Sequence, residues 1–502
     1  MKSIYKLIGI SLTLVCLLST PSQAQRYSDF SWMFSQHDIH GTARIQGLAG
    51  AQTSLGGDIS SISGNPAGLG FYNSSEFSIS PAFQFNNNSS RYLDNISSNH
   101  ENQLVIANGG IVINKSLANG TSSGFKGGSF GISVSRSTNF RNQINYLGEN
   151  TQEDFIDYAV SEANAAGTAA YNNPDLLPEL SFLAYQTTLI DRFFDGSNPN
   201  DTAFFFDRNI YDILDPDIVA FPSEQFPTLQ NEIITTTGAQ YQTTFAYGAN
   251  FSDQFYIGAS MGITSLRFEQ DRLYTEEPTE SDLTRMTLQD YRLLRGTGIN
   301  GTIGIIYRPV NVFTLGISYT SPTFYELEDE SIITMISDFN TGVLTDEVVF
   351  LPLRFNLRTP GRLKGGVTLF FEKYGFVTAD VEWVDYAGSN FSSNEFSFSD
   401  ANQQIDRFQS VLNYKVGAEF RYNVARFRAG YSLQGDPLEE TGVDRSRQSF
   451  TAGLGVHHKE FFADVAYVRS NYDKTASPYS GAPVALIDQT TENIVLTLGM
   501  KF

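Results

Sequence analysis

The chain has 502 residues, of which 17% are charged and 13% aromatic, and its formal net charge is −21. This length is sufficient for one large barrel, and the apolar and aromatic content is too high for a disordered chain. The acidic balance argues against nucleic acid as a partner, because binding to phosphates requires clustered basic residues. Abundant glycine and tyrosine favour strands and tight turns over helices.

The first 24 residues have the pattern of an export signal. Lys2 and Lys6 form a basic start, an apolar stretch follows at 7–18, and Ala24 ends a small-residue cleavage pattern. The apolar stretch is too short to anchor the chain across a bilayer. We therefore predict a signal peptide at 1–24. It contains the only cysteine, Cys16, so we expect a mature chain without disulfides.

The second half alternates between apolar and polar residues, most clearly from Leu412 to Tyr422. This period of two indicates strands, and runs of about ten residues match the length needed to cross a bilayer. We predict an all-β fold, a transmembrane antiparallel β-barrel of about 14 strands. The predicted strands are 77–86, 102–114, 128–146, 240–252, 254–272, 291–308, 311–325, 353–372, 374–388, 408–422, 424–434, 446–457, 460–472 and 491–502.

The predicted connections alternate in length along the chain. Tiny turns are expected at Ser252-Asp253, Pro309-Val310, Lys373, Asn423 and His458-Lys459. The others are predicted to be long, at 87–101, 147–239, 273–290, 326–352, 389–407, 435–445 and 473–490. This asymmetry is typical of barrels in the cell outer membrane. We therefore expect contact with outer-membrane lipid and lipopolysaccharide, long loops outside, and both termini in the periplasm.

The last predicted strand ends the sequence with an aromatic residue. Apolar residues fall at every second position from Ile494 to Phe502. The pattern resembles the C-terminal signal that the barrel assembly machinery reads. We therefore predict Phe502 as an assembly signal and that machinery as a partner.

Residues 25–76 lack a strand pattern and are rich in glycine and other small residues. The runs Gly41-Thr42-Ala43-Arg44, Gly47-Leu48-Ala49-Gly50-Ala51, Gly56-Gly57-Asp58 and Asn65-Pro66-Ala67-Gly68-Leu69 stand out. Alone, Asn-Pro-Ala predicts only a turn. Together, these runs resemble the N-terminal hatch of the FadL/TodX family of outer-membrane transporters for hydrophobic compounds, including long-chain fatty acids.

The resemblance implies an N-terminal hatch, or plug, at 25–76 in the lumen of a barrel formed by 77–502. It implies passive diffusion of a hydrophobic small-molecule ligand through a lateral opening near a kinked third strand. The implied gating residues of the hatch are Asn65, Pro66, Ala67 and Gly68. The candidate strand kink comprises Gly127, Gly128 and Gly131.

The long loop at 147–239 carries helical patterns. One apolar face includes Phe155 and Ala159, and another includes Leu176, Leu180 and Leu183. These helices either cap the barrel or form an outer groove that captures ligand. Leu176, Leu180 and Leu183 are the candidate residues for that groove.

The sequence gives little indication of enzymatic, metal-binding or haem-binding chemistry. No catalytic motif is present, so we expect no enzyme activity, and we predict neither a cofactor nor a metal. His37-Asp38-Ile39-His40 could serve a haem-binding surface receptor, but a short polar arm explains it more simply. A second alternative function is a PorV-like binding or shuttle protein for a secretion system. We expect a monomer.

Several charged residues fall on the polar face of predicted strands. They either pair with one another across the lumen or line a wet path beside the hatch. The residues are Asp380, Glu382, Lys415, Glu419, Arg421, Arg428 and Lys501.

Overall fold

A computed structural model describes residues 21–116, 124–193, 204–207, 227–279, 281–438 and 443–502. Most of the predicted signal peptide at 1–24, including Cys16, lies outside the described residues. Within the part of the chain that is described, no helix combines the length and the apolar character that crossing a membrane requires.

Fourteen antiparallel strands form one closed barrel. Neighbours in the chain pair with each other, and the last strand pairs with the first, from Glu76 opposite Lys501 to Arg91 opposite Leu486. The predicted barrel is thereby confirmed. The strands are β1 Glu76–Tyr92, β2 Asn95–Ser116, β3 Phe125–Asn139 and Asn142–Asn150, β4 Thr228–Phe251, β5 Phe255–Pro278, β6 Leu283–Val310, β7 Phe313–Thr320 and Phe324–Phe339, β8 Gly342–Val349, Leu353–Arg358 and Arg362–Phe371, β9 Gly375–Asp385, β10 Ser410–Tyr422, β11 Ala425–Gln434, β12 Arg447–His458, β13 Phe461–Ala476 and β14 Ala485–Lys501.

Short helices lie inside the barrel and at its loop end. They are α1 Pro21–Ser35, α2 Ala43–Gln46, α3 Phe155–Ala165, α4 Gly167–Asn172, α5 Glu179–Gln186 and α6 Ser399–Ile405, with 3-10 helices at Ile59–Ile62, Pro66–Phe71, Pro174–Leu176 and Tyr386–Gly388. A small hairpin, Ile190–Phe193 with Phe204–Asp207, belongs to the long loop, and Asn390–Ser392 extends one edge of β8.

Several strands are longer at the loop end than the sequence predicted. The loop expected at 87–101 is a hairpin, because β1 and β2 remain paired up to Tyr92 and Asn95. The outward positions there carry Asn87, Ser89 and Arg91 in place of apolar residues, so the ladder continues without the apolar alternation that predicts a strand. The loop predicted at 147–239 is likewise shorter and comprises residues 151–227.

The apolar face of the strands points outward. Along β10, Leu412, Tyr414 and Val416 are exposed, whereas Asn413 and Glu419 on the opposite face are buried in the lumen. Soluble proteins rarely expose a continuous apolar surface of this extent. The outward residues of all the strands therefore form an apolar belt suited to lipid contact.

The turns that join β4 to β5, β8 to β9, β10 to β11 and β12 to β13 are tight and lie together at one end of the barrel. Backbone angles in the left-handed region occur at Ser252, Asp253, Glu372, Asn423 and Lys459, one or two in each of four turns. The opposite end carries the 77-residue interval from 151 to 227 and the longer hairpins. We call these the turn end and the loop end.

Barrel closure leads to a prediction about the C-terminus. The Phe502 amide donates to Ser75 O at 2.9 Å, and the Ser75 amide donates to Phe502 O at 3.0 Å. The Phe502 ring is 58% exposed, so Phe502→Ala keeps these backbone bonds and removes only an outward aromatic group. We expect less folded barrel in the membrane fraction, measured by heat-modifiable gel mobility, with unchanged ligand affinity in the protein that does fold.

Tyr422 supplies the matched control, because it is 72% exposed at the turn end of β10. Tyr422→Ala should leave the yield of folded barrel near that of the unmodified protein. Equal yields for Phe502→Ala and the unmodified protein would contradict the assembly role.

Candidate functional site

The N-terminal segment 41–72 lies inside the barrel and bonds to its wall. The Ala43 amide donates to Thr497 Oγ1 on β14 at 2.7 Å. On the opposite side, Thr314 Oγ1 of β7 donates to Ser54 O at 2.9 Å. A segment that touches strands so far apart in the barrel must cross the lumen, which agrees with the predicted hatch.

One buried carboxylate anchors the hatch to β9. Asp380 Oδ2 accepts hydrogen bonds from the Gln52 amide, the Thr53 amide and the Thr53 hydroxyl, each at 2.8 Å. Buried carboxylates require such donors, because desolvation without them is costly. Asp380 therefore serves the attachment of the hatch rather than an ion pair with another strand.

The other inward charges near the turn end pair with one another. Arg428 Nε lies 2.7 Å from Glu419 Oε2, and Arg428 Nη1 lies 2.6 Å from Asp464 Oδ1. From the hatch, Arg44 Nε approaches the same oxygen of Glu419 at 3.6 Å. These inward charges therefore pair with one another, but the strand residues do so between strands one or two apart in the wall rather than across the lumen, and the network includes Arg44 of the hatch.

The Asn65-Pro66-Ala67 run begins the 3-10 helix Pro66–Phe71. Asn65 Oδ1 accepts from the Ala67 amide at 3.1 Å and caps the helix, and Asn65 Nδ2 donates to Thr53 O at 2.6 Å. Proline suits the first helical position, where no backbone donor is needed. Asn65 thus fixes both the start of this helix and its distance from the chain at Thr53.

The barrel wall carries glycine patches where the hatch backbone approaches it most closely. Gly248, Gly258 and Gly304 lie side by side on β4, β5 and β6, beneath Asn65 and Pro66. A Cβ atom on Gly258 would overlap Pro66, and one on Gly304 would overlap Asn65 Oδ1. The wall therefore has a recess shaped for this turn of the hatch.

Two more glycine pairs repeat this arrangement. Gly316 and Gly366 face each other on β7 and β8 beneath Thr53. Gly417 and Gly430 face each other on β10 and β11 beneath the Leu48–Ala49 peptide. The absence of side chains at these strand positions thus lets the hatch backbone pack directly against the wall around much of the lumen.

The wall itself is interrupted between β2 and β3. Their pairing ends where Asn108 lies opposite Ser135. Beyond that point β3 pairs only with β4, and its ladder is broken at 140–141. A gap in the main-chain ladder therefore opens towards the loop end, beside outward-facing Leu104, which is 63% exposed.

Side chains bridge this gap in place of the ladder. Asn88 Nδ2 donates to Gln143 O at 2.6 Å, and Asn99 Nδ2 donates to Gln143 Oε1 at 2.6 Å. Arg141 Nε forms an ion pair with Glu101 Oε2 at 3.1 Å. Each of these bridges involves at least one side chain, so the gap can open without breaking a backbone–backbone pair of either strand.

The glycines proposed as the strand kink lie elsewhere on β3. Gly128 and Gly131 pair with both β2 and β4, so they do not interrupt the wall. Gly127 has φ +136° and lies in a bulge at the turn end. A Cβ atom on Gly131 would lie 2.6 Å from Ile62 Cδ1, so Gly131 admits the hatch instead. The break lies further along the strand, at 140–141, and faces Gly238 of β4, which has φ +104° and accepts a hydrogen bond from the Phe140 amide.

An aromatic chamber occupies the lumen above the hatch, and α1 fills it. Tyr27, Phe30 and Phe34 of this helix are buried. The Phe34 ring centroid lies 5.6 Å from Phe140 and 5.9 Å from Phe268. Other residues of the same cluster are Leu266, Leu294, Tyr325, Leu327, Phe355, Leu357, Val384, Phe391, Phe398 and Ile405. The sequence analysis did not single out this helix, because most of the chamber comes from strand positions far apart in the chain.

The long loop folds into a cap on the extended strands. Helix α3 begins at Asp154, whose side chain accepts from the Asp157 amide at 2.9 Å, and burial raises the pKa of Asp154 to about 6. Phe155 on α3 and Leu183 on α5 are fully buried in a cluster that includes Met286 of β6.

The three leucines of the candidate groove do not share one open face. Leu183 is 0% exposed within the cap, Leu180 is half-buried, and Leu176 is 36% exposed. Leu180 lines a cavity of about 50 Å³ at the base of the cap, next to Arg26, Arg272 and other charged residues. The structure therefore corresponds to the capping alternative, with a small mixed-charge cavity beneath the cap.

Comparison with known proteins rests on the fold. No protein-family model matches the chain, and no curated protein matches it in sequence. Among solved structures, a Pseudomonas aeruginosa FadL homologue matches with a TM-score of 0.58 and 11% identity over 93% of this chain and 100% of that protein. The Pseudomonas putida toluene transporter TodX matches with a TM-score of 0.52 and 14% identity over 93% and 99%.

The Ralstonia pickettii toluene transporter TbuX matches with a TM-score of 0.51 and 13% identity over 92% of this chain and 99% of its own. The chain has the fold of the FadL and TodX transporters.

The glycine patches of this FadL-type barrel give a testable prediction. Gly304→Val should displace the hatch, because its side chain would collide with Asn65, at a cost of about 1–3 kcal/mol for overpacking. The barrel should stay folded, because its ladder uses backbone groups. The rate of hydrogen exchange at the backbone amides of 43–72 should rise in Gly304→Val.

Gly301→Val on the same strand is the control. Gly301 faces outward, and its nearest neighbour for an added Cβ is Ser260 O at 3.6 Å. If Gly304→Val and Gly301→Val give the same exchange in the hatch, the glycine patch does not seat it.

The cap gives a second prediction. Leu183→Ala should destabilise the cap by roughly 2–5 kcal/mol, the range for a fully buried leucine. Leu176→Ala should change its stability by less than about 0.5 kcal/mol, because that side chain is partly exposed. Protease cleavage within 151–227 of the folded barrel measures the difference. Equal cleavage rates would show that the cap has no core at Leu183.

Proposed function

We propose that this protein resides in the cell outer membrane and allows passive diffusion of hydrophobic compounds, such as long-chain fatty acids. The observation that carries the proposal is the gap between β2 and β3 beside the apolar belt. A transport role requires a route for the ligand, and this gap is the interruption of the wall closest to lipid.

The hatch restricts the direction in which a ligand can leave the lumen. Wall contacts from Thr497 on β14 to Thr314 on β7 hold the hatch across the lumen, so it obstructs a straight axial path. A hydrophobic solute that leaves sideways reaches lipid without crossing the polar turn end. In this proposal the long loops face the cell exterior and both termini face the periplasm. The residues Asn65, Pro66, Ala67 and Gly68 control whether the hatch blocks the path of the ligand.

The ligand class is inferred from the lining of the lumen. The chamber around α1 is built from aromatic and aliphatic side chains, which favour apolar molecules. Two of the similar structures, TodX and TbuX, are toluene transporters. We extend only the general property, transport of a hydrophobic compound, to this chain.

A second function is a binding or shuttle protein of the PorV type. The observation that favours it is the filled chamber, since Phe30 and Phe34 occupy the space that a transported ligand would need. A shuttle would hold a partner at its loops and show no ligand flux.

Reconstitution in liposomes separates the two functions. Purified protein is inserted into vesicles that contain a trapped fatty-acid acceptor, and the entry of a labelled fatty acid and of labelled toluene is measured against protein-free vesicles. Flux of either compound above the vesicle background supports transport. Absence of flux, together with co-purification of a protein partner, supports the shuttle. Mass spectrometry of extracted ligand identifies the compound class.

The hatch turn also gives a testable prediction. Ala67 is fully buried against the wall, and Asn65 caps the helix that follows it. Ala67→Phe or Asn65→Ala should therefore change ligand flux severalfold while the barrel remains heat-modifiable. Ala259→Phe, which adds the same ring to the outward face of β5, serves as the control.

Equal flux in Ala67→Phe, Asn65→Ala and the control would remove the gating role of this turn. Loss of folded barrel in both hatch variants would instead make the turn a structural element. The same vesicle assay and gel shift measure both outcomes.

A further inference from the structure

Part of the rim at the turn end is basic, although the chain as a whole is acidic. The chain contains 33 lysine and arginine residues against 54 aspartate and glutamate residues. In the turns of the half-barrel from β8 to β14, however, the exposed acidic residues are Glu372 and Glu460. The basic residues of the same stretch, which we call the basic arc, are Lys373, Arg421, Arg426, Lys459 and Lys501. The sign of the overall charge is thus reversed along this stretch.

Backbone hydrogen bonds join the turns that carry the basic arc. Each bond connects one turn to the next in barrel order, and the last connects to the end of β14. The bonds run from the Arg421 amide to Tyr374 O at 2.8 Å, from the His457 amide to Val424 O at 3.0 Å and from the Lys501 amide to Glu460 O at 2.7 Å. The basic arc is therefore one continuous stretch of the rim rather than a set of separate turns.

Two members of the basic arc have carboxylate partners within the barrel. Arg421 Nε lies 2.7 Å from Glu419 Oε1, and Lys501 Nζ lies 4.0 Å from Glu76 Oε2. Glu419 and Glu76 are both buried on the lumen side. The charges of Arg421 and Lys501 are therefore balanced, at least in part, by the chain itself.

The other three members have no such partner. Arg426 Nη1 donates to two backbone carbonyls, Asn423 O at 2.7 Å and Ala425 O at 2.9 Å. Among the residues that the structure describes, no carboxylate forms an ion pair with Lys373, Arg426 or Lys459. Their positive charge is therefore balanced by water or by an anion from outside the chain.

Exposed arginines at the loop end are neutralised by the chain. On the outward faces of β5, β6 and β8, Arg267 Nη2 lies 2.9 Å from Glu269 Oε2, and Arg295 Nη2 lies 2.9 Å from Glu328 Oε1. Arg354 Nε lies 2.9 Å from the other oxygen of Glu328. Exposed basic residues thus carry their own counter-charge at the loop end, whereas part of the basic arc does not.

Exposed aromatic side chains accompany the basic arc. Tyr374, Tyr422 and Phe461 are exposed at the same turns, and outward-facing Phe420 and Phe427 continue this surface into the apolar belt. Aromatic rings favour the boundary between hydrocarbon and headgroups, and long basic side chains reach from apolar surface towards charge. The sequence of apolar, aromatic and basic groups therefore matches the acyl chains, the interface and the phosphates of one leaflet.

We propose that the basic arc binds the phosphate groups of anionic phospholipids in the periplasmic leaflet of the outer membrane. The apolar belt contacts the acyl chains, and Lys373, Arg426 and Lys459 donate to phosphate oxygens. A phospholipid whose own amine balances its phosphate has no net charge, so the arc favours lipids without that amine, such as phosphatidylglycerol. The inference goes beyond transport and takes from the proposed function only that the turn end faces the periplasm.

Two triple variants of the full-length protein test the basic arc. The turn-end variant combines Lys373→Gln, Arg426→Gln and Lys459→Gln. The loop-end variant combines Arg267→Gln, Arg295→Gln and Arg354→Gln, and it is the matched control because it removes the same charge from the opposite end. Heat-modifiable gel mobility shows that each barrel is folded before lipid binding is measured.

Native mass spectrometry counts the lipids that remain bound. Protein in detergent is exchanged into equal amounts of phosphatidylglycerol and phosphatidylcholine with matched acyl chains. We expect the unmodified protein and the loop-end variant to enrich phosphatidylglycerol about tenfold, the order expected for several basic side chains at an anionic surface. The turn-end variant should enrich it less than about twofold. Salt at about 0.5 M should reduce the enrichment, because it screens exposed charges.

Three outcomes would overturn the proposal. Equal retention of the two lipids by the unmodified protein removes the preference itself. Equal loss of enrichment in both triple variants shows that total charge, rather than the basic arc, determines binding. Displacement of phosphatidylglycerol by about 10 mM inorganic phosphate at constant ionic strength shows a site for free phosphate rather than for a lipid.

A single cysteine tests the leaflet. Cys16 belongs to the predicted signal peptide, so Lys459→Cys introduces the only thiol of the mature chain. A membrane-impermeant maleimide should label it only after the outer membrane is permeabilised. Labelling in intact cells would overturn both the periplasmic leaflet and the proposed orientation. Absence of ligand flux in vesicles, by contrast, would overturn transport alone and leave the lipid preference as measured.

Discussion

The main-chain ladder between strands is the constraint on which the structure depends. In lipid no water satisfies unpaired backbone groups, so a barrel must close and each strand must keep its neighbours. Fourteen strands meet this condition by joining Lys501 to Glu76. The pairing of β2 with β3 stops at Ser135, and there residues 36–38 and amide side chains from β1 and β2 supply the missing partners. The place where the ladder fails is therefore also where the N-terminal segment attaches to the wall.

The hatch fits closely against the barrel wall because both surfaces carry very small residues where they meet. Ala67 and Gly68 make the hatch turn thin, and Gly258 and Gly304 remove the wall atoms that would meet it. Close backbone approach of this kind needs glycine, since any Cβ would overlap the opposing chain. The arrangement also explains why the hatch can be secured by few polar anchors such as Asp380, because shape alone restricts where it fits.

The sequence predicted the barrel well because period two records which face each strand turns to lipid. It failed at the loop end of β1 and β2, where the outward positions carry Asn87, Ser89 and Arg91 in place of apolar residues although the ladder continues. It predicted the hatch by resemblance, but not the glycine recess, whose members come together only when distant strands pair. The break in β3 had no local signal either, because the residues around Phe140 differ in their partners rather than in their composition.

A ligand that enters the aromatic chamber must compete with α1 for the same space. Phe30 and Phe34 bury their rings against Phe268 and Phe140, so a ligand that enters must replace those contacts with its own. Displacement of α1 would remove both rings together, because they stack on each other and belong to one short helix. A ligand of comparable apolar area regains the free energy that the rings lose, whereas a small polar solute cannot. An aromatic helix in the lumen can thus exclude water and ions while remaining displaceable by hydrophobic molecules.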